Sequence, residues 1–227
     1  MARVLALTAG EQLPSWAVNV YAMPDTPIES DIDRRQIIAN SRKLWAWNNT
    51  IRSAEDGERI LLIDADAAIL LPLDDVWDLD FDLAYTKRPS TAKFPFNGGV
   101  LFVRVSNVTR AFFDLWEREN ARMLVEPAHH RKWQARYGGI NQASFGYLTH
   151  SRSFDLKLHA LPCSEWNCED SGWSQFDPDT TRILHIKSAL RLACFLGVAE
   201  RATGLGPLAK IWREFDRRAS GALTRTA

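Results

Sequence analysis

Residues 59–66 read RILLIDAD, and this stretch decides the fold. Ile60 to Ile63 form an unbroken apolar run that stops abruptly at two carboxylates. Such a run suits a strand buried on both faces of a parallel sheet. Upstream, Arg34–Ser53 reads as a helix with Ile37, Ile38, Leu44, Trp45 and Ile51 near one face. Further upstream, Arg3–Ala9 and Ala17–Met23 read as strands, and Pro24 to Asp33 as a turn-rich loop. Downstream, Leu83–Thr86 and Gly99–Arg104 read as strands, the second entered through Asn97-Gly98-Gly99. Ser106 caps an amphipathic helix over Asn107–Val125, with Phe112, Phe113, Leu115, Trp116 and Met123 inward. Glu126–Gly139 reads as a polar, basic loop and Asn141–His150 as a helix. Lys157–Pro162 and Arg182–Lys187 read as strands. Alternating strands and helices make the class α/β. In an open sheet of that class ligands sit beyond the carboxyl ends of the strands.

Composition narrows the choice. The 227 residues are 46% hydrophobic and 25% charged, which suits one domain, or at most two small ones, and excludes a disordered chain. Basic and acidic residues balance at 28 each, so nothing points to nucleic acid as a partner. Arg outnumbers Lys 21 to 7, a bias that suits bidentate pairing to phosphate or carboxylate. No stretch approaches the roughly 20 apolar residues of a membrane helix. The run Val4–Ala9 is too short for the core of a secretory leader. The three cysteines, Cys163, Cys168 and Cys194, are an odd number, so reduced thiols in a cytoplasmic protein are expected. His159, Cys163 and Cys168 match no standard zinc spacing.

Three groups of residues carry chemistry. Asp64 and Asp66 sit at i and i+2, so on a strand both carboxylates aim at one point and can hold a hard divalent cation. The chain holds five Asp-x-Asp patterns, but only this one directly follows a buried strand. Asn97-Gly98-Gly99-Val100 pairs a hydrogen-bonding amide with a backbone that can approach a ligand closely. His185, with Lys187 and Arg191 nearby in sequence, offers an imidazole and two cations for a metal-bound diphosphate.

Taken in order, these residues resemble the GT-A nucleotide-sugar glycosyltransferases, nearest the glycogenin-like and bacterial lipooligosaccharide galactosyltransferase group. The order is the apolar strand ending in Asp-x-Asp, Asn-Gly-Gly-Val before a strand, Asn141-Gln142, Leu161-Pro162 with Trp166-Asn167, and His185-x-x-Ser188-x-x-Arg191. The resemblance runs from Arg34 to Arg191. It implies a single-domain GT-A fold, with a mixed, mostly parallel sheet flanked by helices, over residues 1–200. A C-terminal amphipathic basic helix and tail follow over residues 201–227.

The resemblance implies a hexosyltransferase that uses Mn2+ or Mg2+ held by Asp64, Asp66 and His185. Its donor would be a nucleoside-diphosphate sugar, with UDP the expected nucleotide, and its acceptor a saccharide, a lipid-linked sugar or a protein. Donor contacts fall on Thr8, Ala9, Lys43, Asp64, Asn97, Gly98 and Lys187. Gln142, Asn141 and Arg191 take the catalytic positions, and the family's outcome is retention of anomeric configuration. An inverting enzyme would instead need a base, for which Glu165, Glu169 and Asp170 are candidates.

The chain departs from the family pattern at several positions. Asn141 stands where the family carries Asp, Ser188 where it carries Gly, and Arg191 where it carries Lys. The seven residues from Gly10 to Trp16 are too few for a parallel crossover, so the N-terminal part is shortened. Over Pro207–Arg218 the residues Leu208, Ile211, Trp212 and Phe215 share one face, which suits packing on the core or peripheral membrane contact. Two other functions fit part of the pattern: a non-catalytic sugar-nucleotide or glycan-binding domain, and a nucleotidyltransferase. All of the site assignments require His185 to lie close to Asp64 and Asp66.

Overall fold

The computed structural model describes residues 1–21, 32–151, 154–196 and 204–223. The chain divides into two interleaved compact units. The first comprises residues 1–20, 63–79 and 161–227, and the second residues 21–62 and 80–160.

The second unit is built on a four-stranded sheet in the order β1 (Arg59–Ile63), β4 (Phe96–Arg104), β3 (Leu83–Lys87), β5 (Leu158–Pro162). Strands β3 and β4 run antiparallel, and their register breaks between Tyr85 and Thr86. Tyr85 faces Leu101 while Thr86 faces Asn97, so Gly98-Gly99-Val100 bulge out of the ladder. Helices α2 (Ile32–Ser53), α3 (Asn107–Val125), α4 (Pro127–Tyr137) and α5 (Ile140–Ser151) pack in this unit. Helix α3 starts where the sequence places it: Ser106 and Thr109 form a capping box, which satisfies two N-terminal donors. Its apolar face joins a core rich in aromatic rings, among them Phe96, Phe112, Phe113, Trp116 and Phe145. The Phe96 and Phe145 rings meet edge to face at 4.9 Å. On α2 the inward tryptophan is Trp47, three residues after Leu44, whereas Trp45 is 56% exposed. Residues 127–137, expected as loop, are helical: Pro127 opens α4, and Gly138 at φ 90° ends it.

The first unit holds a two-stranded antiparallel ribbon, β2 (Ala67–Ile69) with β6 (Ile183–His185), paired Ala67 to His185 and Ile69 to Ile183. The N-terminal strand expected over Arg3–Ala9 is instead helix α1 (Ala2–Gln12). Val4, Leu5, Thr8 and Ala9 are its buried residues, and i, i+1, i+4, i+5 is helical rather than strand spacing. With no strand there, the short crossover raises no conflict. Residues 17–21 carry no regular structure, and the rest of the expected second strand, Ala22 and Met23, lies outside the described residues, as does most of the Pro24–Asp33 loop.

Helices α6 (Cys163–Trp166), α7 (Ser188–Leu196) and α8 (Gly206–Leu223) lie in the same unit. Leu208, Ala209 and Trp212 of α8 are buried with Val4, Leu184 and Leu190 in one cluster, against which Ile211 and Phe215 also pack. Arg3 pairs with Asp216 at 2.9 Å and Arg218 with Glu11, so ion pairs flank the same contact. The apolar face of the C-terminal helix therefore packs on the core. No helix among the described residues is long and apolar enough to cross a membrane, and all three cysteines are buried free thiols.

Candidate metal and diphosphate site

Asp64, Ala65 and Asp66 form a tight turn between β1 and β2, closed by the Ala67 N–H on the Asp64 carbonyl at 3.2 Å. The sequence suggested a strand tip. The turn nonetheless brings both carboxylates together, and the β2–β6 register brings the third group. Ala67 lies opposite His185, and the Ile186 N–H donates to the Asp66 carbonyl at 2.9 Å. His185 Nε2 then stands 3.0 Å from Asp66 Oδ1 and 4.0 Å from Asp64 Oδ2. One ligand atom from each residue fits within 4.8 Å of the others, the one such triad of metal-binding side chains among the described residues. His159, Cys163 and Cys168 form no such group.

The chemistry of this donor set fits a divalent cation. Two carboxylates suit Mg2+ or Mn2+, and a neutral imidazole adds a ligand that Mn2+ accepts readily. The site is also poised electrostatically. Burial pushes the Asp66 carboxyl up, but the hydrogen bond and charge of His185 and the charge of Arg191 outweigh that and hold it at about 2. Arg191, on α7, donates from Nη2 to Asp66 Oδ2 and remains 43% exposed. Helix α7 begins at Ser188, which takes φ 44°, the left-handed conformation a glycine adopts without strain.

Not every expected contact is free to bind. Lys187 Nζ lies 2.8 Å from the fully buried Glu169 carboxylate and 3.6 Å from Asp170, so its charge is engaged internally. The same pair removes Glu169 as an acceptor-side base. Thr8 is fully buried in α1: its hydroxyl donates to the Val4 carbonyl and accepts from the Ile69 N–H at 3.0 Å. It anchors β2 to the helix, and neighbouring Ala9 is also buried, so neither is placed as a donor ligand. Glu165 lines an open groove of 590 Å³ with Asp74, Asp75 and Arg182. That groove lies beyond the Ile69–Ile183 end of the ribbon, away from the triad.

In the second unit the other expected residues form a cluster of their own around the β4 bulge. Asn97 Oδ1 accepts from the Gly99 N–H at 2.7 Å, and Lys43 Nζ donates to the Gly98 carbonyl at 3.2 Å. Gln142 Nε2 donates to the carbonyls of Phe96 (3.1 Å) and Tyr137 (2.8 Å), while its Oε1 accepts from the Gly98 N–H at 3.4 Å. Asn141 Oδ1 accepts from the Gln142 N–H at 2.9 Å. A Cβ at residue 98 would sit 3.4 Å from Gln142 Cγ and 3.6 Å from Asn141 Nδ2, so the bulge and α5 are in close approach.

Sequence reasoning missed Asn167 as a site residue. It is fully buried, and its Oδ1 lies 2.9 Å from His185 Nδ1. The Trp166-Asn167 pair belongs to the ordered set that carries the resemblance, but no role for Asn167 follows from it. Nothing local reveals that Cys168 bridges to Leu184 and sets Asn167 beside the ring.

By sequence the chain matches no protein-family model and no curated protein. By structure it is similar to the galactosyltransferase LgtC solved with donor and acceptor sugar analogues. The TM-score is 0.57 at 12% identity, with 97% of this chain and 91% of that one covered. It is also similar to a glycosyltransferase involved in glycosylation of the major capsid of PBCV-1. There the TM-score is 0.56 at 14% identity, over 83% of this chain and 87% of that one. The α/β fold implied by the sequence resemblance is the fold these proteins share with this chain.

Proposed function

We propose that this chain, folded as those glycosyltransferases are, is a metal-dependent glycosyltransferase that moves a sugar from a nucleoside-diphosphate-sugar donor to an acceptor. The observation that carries the reading is the meeting of Asp64, Asp66 and His185 within 4.8 Å, with Arg191 on the Asp66 carboxylate. Asp64, Asp66 and His185 Nε2 would hold the cation, Mn2+ or Mg2+. When bound, such a cation neutralises charge on the leaving diphosphate as the glycosidic bond breaks. Arg191 is exposed enough to exchange Asp66 for a phosphate oxygen, and a guanidinium binds either one in bidentate fashion. Charge on the leaving phosphate grows towards the transition state, so Arg191 would act more on turnover than on donor binding. UDP as the nucleotide, retention, and a saccharide, lipid-linked or protein acceptor belong to the same reading through the sequence resemblance. The assignment of Lys43, Asn97, Gly98 and Asn141 to the donor sugar likewise rests on the sequence resemblance.

A thermal-shift screen of nucleoside diphosphates and sugar nucleotides, with and without Mn2+, tests this. The expected result is a rise in Tm only when metal and diphosphate are both present, lost in Asp66→Ala, together with release of nucleoside diphosphate. A wild-type chain that responds to none of them, or an Asp66→Ala variant that responds fully, overturns the reading. A second reading, a non-catalytic sugar-nucleotide-binding domain, has one observation on its side. Both ends of the Gln142 amide are engaged with backbone. It predicts the same Tm rise without nucleoside diphosphate release.

A further inference from the structure

We infer that Asn167 is the positioning residue of the metal site: when a cation is bound, its side-chain carbonyl holds the His185 ring with the proton on Nδ1, leaving the Nε2 lone pair for the cation shared with Asp64 and Asp66. The inference rests on the metal-site reading above. A neutral imidazole carries one N–H, and a ligand nitrogen must offer its lone pair. Nε2 is the nitrogen beside the carboxylates, at 3.0 and 4.0 Å, so it is the one that would take the cation, and with a cation there the proton belongs on Nδ1. His185 is 3% exposed, and a buried N–H needs an acceptor. Asn167 Oδ1, at 2.9 Å and fully buried, supplies it. The reversed amide would offer an N–H to Nδ1, force the proton onto Nε2 and close the ligand position. A carboxylate at 167 would also accept from Nδ1, but would add a third negative charge beside Asp64 and Asp66. The neutral amide orients the ring without that charge.

The backbone around Asn167 makes the contact rigid. Its own N–H caps α6 on the Cys163 carbonyl at 3.1 Å. The next residue, Cys168, donates to the Ile183 carbonyl at 2.8 Å and accepts from the His185 N–H at 2.9 Å. One residue further, Glu169 pairs with Lys187. Three successive residues, 167 to 169, are thus fastened to the stretch 183–187 on both sides of the ring. Lys187 serves this fastening through Glu169. Asn167 acts only through His185, as outer ligands of metal-bound histidines do.

Two measurements on the full chain test this. The first is Mn2+ affinity in the presence of UDP, followed by the electron paramagnetic resonance of free Mn2+, in wild type, Asn167→Ala, Asn167→Asp and Asp66→Ala. Asn167→Ala is expected to lose about 10- to 100-fold in Mn2+ affinity. Asn167→Asp, which retains an acceptor, is expected to recover most of it. The second is ¹⁵N NMR of His185 in the wild-type chain with Mg2+ and UDP, which is expected to find the proton on Nδ1. The inference is overturned if the proton is on Nε2, if Asn167→Ala binds Mn2+ as wild type does, or if Asn167→Asp loses as much as Asn167→Ala. In those cases binding that still depends on Asp66 leaves the metal site standing. A wild-type chain that binds no Mn2+ overturns both. The NMR result decides the matter even if Asn167→Ala fails to fold.

Discussion

The triad in the first unit and the bulge cluster in the second solve opposite problems. Around Asp66 the carboxylate is held between an imidazole and a guanidinium, each of which can exchange it for a ligand. Around Gly98 the partners are the amides of Asn97 and Gln142 and the Lys43 ammonium, and each bond lands on the backbone of the β4 bulge. The supports differ too. The triad stands on two strands of three residues each, whereas the bulge belongs to a nine-residue strand on an aromatic core. The ribbon carries side chains that pair with one another; the strand on the aromatic core carries side chains that pair with its own backbone.

The largest effect should come from breaking the triad. Asp66→Ala is expected to weaken Mn2+-dependent UDP binding by more than about 100-fold, because it removes a ligand and leaves Arg191 and His185 without their shared anion. Calorimetric titration measures this. Gln142→Ala, in the bulge cluster, should leave Mn2+ affinity unchanged and lower stability by about 1–3 kcal/mol through the orphaned carbonyls of Phe96 and Tyr137. Loss of metal binding in Gln142→Ala would erase the distinction between the two clusters.

The next effect sharpens the claim that the second unit is tightly packed. An added Cβ at Gly146 would sit 2.4 Å from the Tyr137 ring. Gly146→Ala should therefore cost about 1–3 kcal/mol in denaturant unfolding, with Mn2+ affinity retained. An unaltered midpoint would show that α4 can yield.

The third prediction concerns pH and the first unit. Burial, reinforced by Cys163 and Glu169, pushes the Cys168 thiol up to about 12 from an ordinary value of 9.0. The folded chain keeps this proton longer than the unfolded chain does. The contribution is therefore full below the ordinary value and is lost as pH rises from there towards 12. Native protein at pH 8.5 should leave Cys168 unalkylated by iodoacetamide, while denatured protein reacts at all three cysteines. The Asp66 carboxyl has the opposite sign: in metal-free protein its contribution is present above 3.8 and is lost as pH falls towards about 2.

The smallest effect is at Ser188. Its φ of 44° is strained for any residue with a side chain, so Ser188→Gly should raise stability by about 1 kcal/mol. Thermal unfolding reads this directly, and a fall in Tm would mean that the serine has a role beyond its backbone.

Comparing sequence with structure shows what each signal can carry. The strand in RILLIDAD, the Ser106 cap and the apolar face of α3 were legible because each is a local pattern with a local physical cause, but β1 is an edge strand with only Leu62 buried, not one covered on both faces. The triad was legible because clustered carboxylates and a late histidine are scarce in such positions. Helix α1 was misread because a short apolar run fits either period, and burial against β2 and α8 made the choice. Helix α4 was missed because His130, Trp133 and Tyr137 are its only buried residues among polar ones. Pro127 and Gly138 were its readable signals. The contact of Asn167 with His185 was illegible for another reason. Its position depends on a bridge between Cys168 and Leu184, and no periodicity encodes a pairing between two separate stretches.

The interleaving of the two units has a consequence for synthesis. The second unit is fully specified once residue 160 has left the ribosome, but the first draws on residues 1–20, 63–79 and 161–227. Asp66 must therefore wait for His185, and α1 for its partner helix near the carboxyl end. Closing such a long loop is entropically costly and slow. The nascent chain should pass through a stage in which the aromatic-cored unit is already native while the amino-terminal helix stays open to chaperones or proteases.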